Sequence, residues 1–266
     1  MSTSLRFARE TAVITGGGGD IGQAVAKRLA SEGATIALLD INEEKLESAV
    51  QVLKQSGAKV EGFVCDVTDS HSVEKARDAV IRTFGSIELL FNNAGYQGEF
   101  KPVHQFPTAD FEKVMSINVV GVFNVLKAIS SHMVEQKQGA IVNTASMAGV
   151  GGVPNMAAYC SSKFAVIGLT ETASKDLLPH NIRVNAVSPG LIGPAYMWTR
   201  QVELQSQAGS QYFPEDAEKT AEQMINSVPM HRYGSVEEIA GAVSFLLSDE
   251  ASYISGINIR ISGGGN

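Results

Sequence analysis

Cysteine is nearly absent from this chain. Its 266 residues include only Cys65 and Cys160. Two cysteines that far apart make neither a disulfide framework nor metal-ligand spacing, so a reducing compartment, the cytoplasm, is expected, with no metal site. Basic residues are outnumbered: 21 Lys and Arg face 28 Asp and Glu, a net charge of −7. No basic cluster exists to neutralise a phosphate array, which argues against nucleic acid and against an anionic membrane as partners. No apolar run approaches the ~20 residues that span a bilayer. The opening MSTSLRFARETAVIT lacks the apolar core of a signal peptide. Linkers rich in Pro, Gly or Ser and low-complexity tracts are also missing, so one domain covering 1–266 is expected. At 44% hydrophobic residues, it can bury a core without disulfides or metals.

What is present is alternation. TAVIT (11–15), TIALLD (35–40), VEGFV (60–64), ELLFN (88–92), AIVNT (140–144), IRVNAVS (182–188) and NIRI (258–261) read as strands, several of them continuously apolar and hence covered on both faces. Between them run helical stripes, such as Ile21, Ala24, Val25 and Leu29. The segments Thr108–Gln136 and Ala157–Leu178 also read as helical, the second closed by Pro179. Repeated β-α-β units predict an α/β fold of the doubly wound Rossmann type, a seven-stranded, mostly parallel sheet with helices on both faces. Residues 190–229 break the rhythm. They show no strand pattern and read as a binding excursion or lid. Ligands in such sheets sit beyond the carboxyl ends of the strands, so functional residues should follow each strand.

TGGGGDIG (15–22) joins the first strand to the first helix. Glycines there let backbone amides approach a pyrophosphate at the helix N-terminus, although an ordinary glycine-rich turn has the same composition. Asp40 ends the second strand. It either binds the ribose hydroxyls of an adenosine or caps the next helix, and its distance from the loop favours the ribose. A carboxylate at that point repels a 2′-phosphate, and no arginine or lysine in the loop offsets it, so NAD rather than NADP is expected. Tyr159 and Lys163 lie four residues apart and share a helix face. Taken alone, that pair is as readily a core tyrosine with a surface lysine.

Several strand ends match one family together. TGGGGDIG, CDVTD (65–69), NNAG (92–95), Asn118 in SINVVG, NTAS (143–146), Tyr159 with Lys163, and NAVSPG (185–190) occur in order, and over essentially the whole chain the sequence resembles the short-chain dehydrogenase/reductase family. The resemblance implies a catalytic set of Asn118, Ser146, Tyr159 and Lys163. Tyr159 is the implied general base, its pKa lowered by the Lys163 ammonium. Ser146 would bond the reacting oxygen, and Asn118 would hold the water through which the proton leaves, unless it is a core amide bonded to backbone. The implied cofactor contacts are Gly16, Gly19, Asp20 and Ile21 in the loop, Asp40 and Ile41 after β2, Asp66 and Val67 flanking adenine, Asn92, Ala94 and Gly95 near the adenosine ribose, Tyr159 and Lys163 at the nicotinamide ribose, and Pro189, Gly190 and Ile192 on the nicotinamide side. Asp66 alternatively just starts a turn. Two positions depart from the pattern: Asp20 replaces a family glycine, and Pro194 stands where the family often has a threonine.

Within the family, FNNAGYQG, NTASMAGV, PNMAAY and MWTRQVELQSQAGSQYF resemble bacterial NAD-dependent polyol dehydrogenases. The implied substrate is a small neutral polyol, with xylitol to xylulose the leading pair. Gln97, Ser146, Met147, Tyr159 and Trp198 are the implied substrate contacts. Amides and hydroxyls in the excursion, Gln201, Gln205, Gln207, Gln211, Ser206 and Ser210, suit such a substrate or are plain solvated surface. Tyr196, Trp198, Tyr212 and Phe213 line a pocket or simply pack the lid. Cys160, Ser161 and Ser162 read as packing. Another sugar alcohol, a cyclic alcohol, a 3-oxoacyl thioester or a non-catalytic NAD sensor remain as alternatives, and a homotetramer is implied by the family.

Overall fold

The computed structural model describes residues 5–194 and 196–265. The expectations that touch residues 1–4, Ala195 in the excursion and Asn266 at the end of the proposed domain lie outside the described residues. Seven strands form one sheet: β1 (Thr11–Thr15), β2 (Thr35–Asp40), β3 (Val60–Val64), β4 (Leu89–Asn92), β5 (Gly139–Thr144), β6 (Ile182–Pro189) and β7 (Asn258–Ile261). Their order is β3-β2-β1-β4-β5-β6-β7, and every neighbouring pair is parallel, so the "mostly" of the sequence reading is unnecessary. The order reverses between β1 and β4, which opens a crevice at their carboxyl ends.

Why continuously apolar strands can serve here is visible in the core. Side chains alternate across a strand. Ala12, Ile14, Ile36, Leu38, Leu89, Phe91, Ala140 and Val142 therefore enter one buried cluster, with α1 (Asp20–Ser31), α2 (Glu43–Gln55) and α9 (Val236–Leu247) over it. Val13, Ala37, Leu39, Leu90 and Ile141 enter the other, beneath α3 (Ser70–Phe84), α5 (Val122–Gln136) and α6 (Ala157–Leu177). Thr108–Gln136 is long and apolar enough to cross a membrane, but half of its most apolar part is buried inside the protein, as packing against the sheet requires.

Local chemistry sets the element ends. Asn42 caps α2 by accepting from Lys45 N, and Asp69 caps α3 by accepting from His71 N. β4 starts at Leu89 rather than at Glu88, whose carboxylate accepts from Thr11 N at 2.8 Å. The segment read as one helix over 108–136 is α4 (Thr108–Met115), a π-helical stretch (Ser116–Gly121) and α5. Pro179 sits in the first turn of a short 3-10 helix, Leu178–His180, directly after α6, a place that needs no donated N–H. The excursion is helical: α7 (Tyr196–Gln207) and α8 (Ala217–Asn226), the latter capped by Asp216.

Candidate active site

The carboxyl ends of β1, β4, β5 and β6 open into a cavity of about 860 Å³ roofed by α7 and α8. At one end lies the glycine loop. Gly16 has φ +66° and its backbone lies against Asn93 and Ala94, a conformation that disfavours any side chain. Thr15 fixes the facing turn. Its hydroxyl donates to Asn92 Oδ1 at 3.4 Å and accepts from Asn93 N at 2.8 Å and Ala94 N at 3.0 Å. Asp40 Oδ2 accepts from Gly18 N and Oδ1 from Asn42 N, each at 2.9 Å. A carboxylate has about four acceptor sites, so Asp40 shapes the loop and still has capacity for ribose hydroxyls. The cap of α2 is Asn42, not Asp40. Lys45, which also lines the cavity, has its Nζ 5.7 Å from the Tyr196 ring centroid. Asp20, the departure from the family loop, turns its carboxylate to Tyr196 N at 3.3 Å, so it ties the phosphate end to the first turn of α7. Glycine backbone, helix amides and a carboxylate with spare acceptors suit a dinucleotide.

At the other end stand Ser146, Tyr159 and Lys163. Ser146 begins the 3-10 turn Met147–Gly149 and accepts from Ala148 N. That turn lies so close to α6 that a Cβ on Gly149 would sit 2.6 Å from the Lys163 carbonyl carbon. Lys163 is buried, and its Nζ donates to Thr144 O at 2.7 Å. It lies 5.6 Å from the Tyr159 ring centroid. Burial lowers the Lys163 ammonium to about 8. Burial also pushes the Tyr159 phenol up to about 12, with a hydrogen bond to Ser146 pulling the other way. The expectation that Lys163 brings the phenol down is thus reversed in the protein alone. Burial is the larger effect, and the hydrogen bond with Ser146 offsets only part of it.

Gly16, Gly19, Asp20, Ile21, Asp40, Ile41, Ala94, Gly95, Gln97, Ser146, Met147, Tyr159, Lys163, Pro189, Gly190 and Ile192 all line the cavity. Asn92, Asp66, Val67, Asn118 and Trp198 are not among the lining residues. Asn92 is buried, with Nδ2 on Val122 O and Oδ1 on Thr15, so it holds β4 rather than facing a ligand. Asp66 Oδ1 accepts from Thr68 N and Thr68 Oγ1, so the residue does start a turn. The Val67 side chain packs where a Cβ on Gly121 would be. Trp198 lies against Gly193, with its ring 5.6 Å from that of Tyr233. Asn118 is fully buried: Oδ1 accepts from Tyr96 N, and Nδ2 donates to Tyr96 O and Ser162 Oγ. Ser162, read as packing, is therefore the strut between Asn118 and the helix that carries Tyr159. Cys160 is packing, as expected, its thiol raised by burial and bonded to Val153.

Asn93, Tyr96, Val153, Met156, Met197, Gln223 and Met224 also line the cavity and were missed. Asn93 lay inside a quoted motif, and α8 puts Met224 on its buried face. Asn155 was missed as well. It joins Gln205 Oε1 at 2.8 Å and Ser210 Oγ at 2.9 Å, pinning the roof to the loop before α6.

A strand-order switch point with a glycine loop at one end and a Ser-Tyr-Lys group at the other defines a Rossmann-type dinucleotide site fitted for proton and hydride transfer. The profile of the short chain dehydrogenase family matches residues 10–205, and the chain belongs to that family of oxidoreductases. The crystal structure of NAD+-bound xylitol dehydrogenase matches with TM-score 0.96 at 56% identity, covering 97% of this chain and 100% of that one. Levodione reductase of Leifsonia aquatica is 41% identical over 265 residues, 99% of this chain and 96% of that protein. The 3-oxoacyl-[acyl-carrier-protein] reductase FabG of Thermotoga maritima is 36% identical over 260 residues, 98% of this chain and 99% of that protein.

The buried ammonium has a measurable consequence. Below about pH 8 the folded and unfolded chains both keep the Lys163 proton; between about 8 and the ordinary 10.5 the unfolded chain holds it more tightly, so this group makes stability rise with pH. Lys163→Met removes that rise. The unfolding free energy of the variant minus that of the wild type should fall as pH increases from 8 to 10.5, followed by urea denaturation. A flat difference across the window would show that the ammonium is not desolvated.

Proposed function

We propose that this chain is an NAD-dependent alcohol dehydrogenase that oxidises a secondary alcohol of a small polyol, with xylitol to xylulose as the leading pair. The observation that carries this reading is the shared cavity, with Asp40 at one end and Ser146, Tyr159 and Lys163 at the other. NAD, when bound, supplies the hydride acceptor. Ser146 Oγ holds the substrate oxygen, and the Tyr159 phenolate takes its proton as the carbinol C–H hydrogen departs as hydride. Lys163, its Nζ held on Thr144 O beside the phenol, favours the phenolate for as long as it keeps its own proton, which it holds up to about pH 8. Asn118, Ser162 and Tyr96 hold the helix and loop in register as positioning residues. A phenol held near 12 makes alcohol oxidation favour alkaline conditions, whereas ketone reduction needs the protonated phenol already present at neutral pH.

Three observations support the finer choices. Asp40 occupies the position where a 2′-phosphate would meet a carboxylate, which favours NAD. The cavity wall carries the amides of Gln97 and Gln201 and the hydroxyl of Ser146, groups suited to a neutral polyhydroxy substrate. The 56% identical relative acts on xylitol. Levodione reductase, similar over the whole chain, supports a cyclic ketone as the second reading. A homotetramer is supported by Phe123 on α5 and Phe164 on α6, 49% and 48% exposed, where a second copy would cover them.

The purified protein should reduce NAD with xylitol far better than NADP. Asp40→Ser should narrow that preference by roughly ten-fold or more, the scale of a lost hydrogen bond to a charged group plus a relieved repulsion. Equal use of the two cofactors by the wild type would overturn the assignment of Asp40, and turnover of cyclic ketones alone would transfer the substrate reading to the second class. Sedimentation velocity should return a tetramer, and a monomer at micromolar concentration would contradict the interface.

A further inference from the structure

The roof is fastened near Tyr159 by one side chain. Asn155 lies in the loop before α6, buried, with φ +70°. Asparagine tolerates that left-handed backbone, and most other side chains do not. Its Nδ2 donates to Gln205 Oε1 at 2.8 Å and to Ser210 Oγ at 2.9 Å, which uses both hydrogens of the amide. Gln205 reaches back in turn: its Nε2 donates to Pro154 O at 3.3 Å. Gln205 is also buried, so its amide is engaged by the protein at both ends. Buried polar groups satisfied by one another in this way hold a single geometry.

The same loop is tied to the segment that follows β4. Lys101 N donates to Asn155 O at 2.9 Å, and Lys101 pairs with Met156 in a parallel bridge. Earlier on that segment, Gly98 O accepts from Arg200 Nη2 of α7 at 3.3 Å. An apolar cluster accompanies these bonds, in which Leu204 and Ala208 of the roof meet Phe100, Met156 and Tyr159. The second half of α7 is thus seated on Tyr159 itself, and Asn155, four positions before that tyrosine, clips it there. Met197 and Gln201 of α7 line the cavity with Ser146 and Tyr159, so the seat of α7 sets how far the two walls stand apart.

We propose that Asn155 is a positioning residue for the alcohol. By clipping α7 to the loop that leads into Tyr159, it fixes the width of the compartment between Met197 and Gln201 on one side and Ser146 and Tyr159 on the other. This inference rests on the dehydrogenase reading above. It concerns the binding of substrate rather than the chemical step, because the reacting groups are held independently of the clip. Lys163 is fixed by Thr144 O, and α6 is braced through Ser162 to Asn118. The far end of the cavity is ordered elsewhere again, by Asp40 on Gly18 N and Asp20 on Tyr196 N.

The test is Asn155→Gly, which keeps the left-handed backbone and removes both side-chain bonds. Loss of two buried hydrogen bonds should raise KM for xylitol roughly ten-fold or more, with kcat and NADH affinity by fluorescence titration changed less than about two-fold. In the protein without ligands, amide hydrogen exchange should quicken across α7 and not across α1. Gln205→Met breaks the same clip from the roof side, and the double variant should raise KM no further than the larger single effect. If N155G does not fold, Q205M decides by the same KM and exchange readings. An unchanged KM, a fall in kcat alone, unchanged exchange in α7 or additive effects in the double variant each overturn the inference while leaving the proposed function in place. A wild type that oxidises no alcohol at all overturns both.

Discussion

A buried ammonium organises the reacting half of this molecule. Lys163 Nζ is held by Thr144 O at 2.7 Å at the end of β5, well out of water. Taking a cation out of water is costly unless its geometry is fixed, and much of the surroundings can be understood as fixing it. The turn at Met147–Gly149 lies against the α6 backbone only because Gly149 has no side chain. Ser162, one residue before Lys163, is bonded to Asn118, and Asn118 in turn grips Tyr96. Helix, strand end and the loop after β4 are thereby locked around a single charge. The phenol of Tyr159, half-buried, lines the same cavity. Burial raises it, as burial lowers the lysine, so in the protein alone both groups are displaced towards their neutral forms.

The other half depends on a carboxylate. Asp40 orders the glycine loop through Gly18 N, and on the proposed reading it tells ribose hydroxyls from a phosphate. Asp20 extends this order to the roof by accepting from Tyr196 N. The carboxylate that replaces a family glycine thus serves as a tie between the loop and α7. The two ends of the cavity are therefore mechanically linked: Asp20 to the start of α7, Arg200 from α7 to Gly98, and Asn155 from the loop before α6 to Gln205.

The strands were legible because those covered on both faces leave continuous apolar runs whose alternating sides fill two clusters. Most of the site was legible too, since a parallel sheet brings strand ends together and the motifs sat at those ends. What escaped depends on partners distant in sequence. Asn92 lay in a recognisable motif, yet its amide serves Val122 and Thr15. Trp198 looked like a pocket aromatic until Tyr233, 35 positions further on, took its face. The π-helical stretch at Asn118 reads as ordinary helix, because its apolar spacing is that of an α-helix. The phenol's shift was misjudged in direction because spacing reveals the neighbouring charge but not the depth of burial.

On the function proposed above, Tyr159 handles the proton of the reacting alcohol, while the loop and Asp40 hold the adenosine end of the cofactor. The most direct test is Tyr159→Phe, assayed for polyol oxidation and, in parallel, for NADH binding. Removal of the proton acceptor should lower kcat by roughly a hundred-fold or more, in line with general acid–base catalysis, with NADH affinity retained. A variant that still turns over at the wild-type rate would contradict the account.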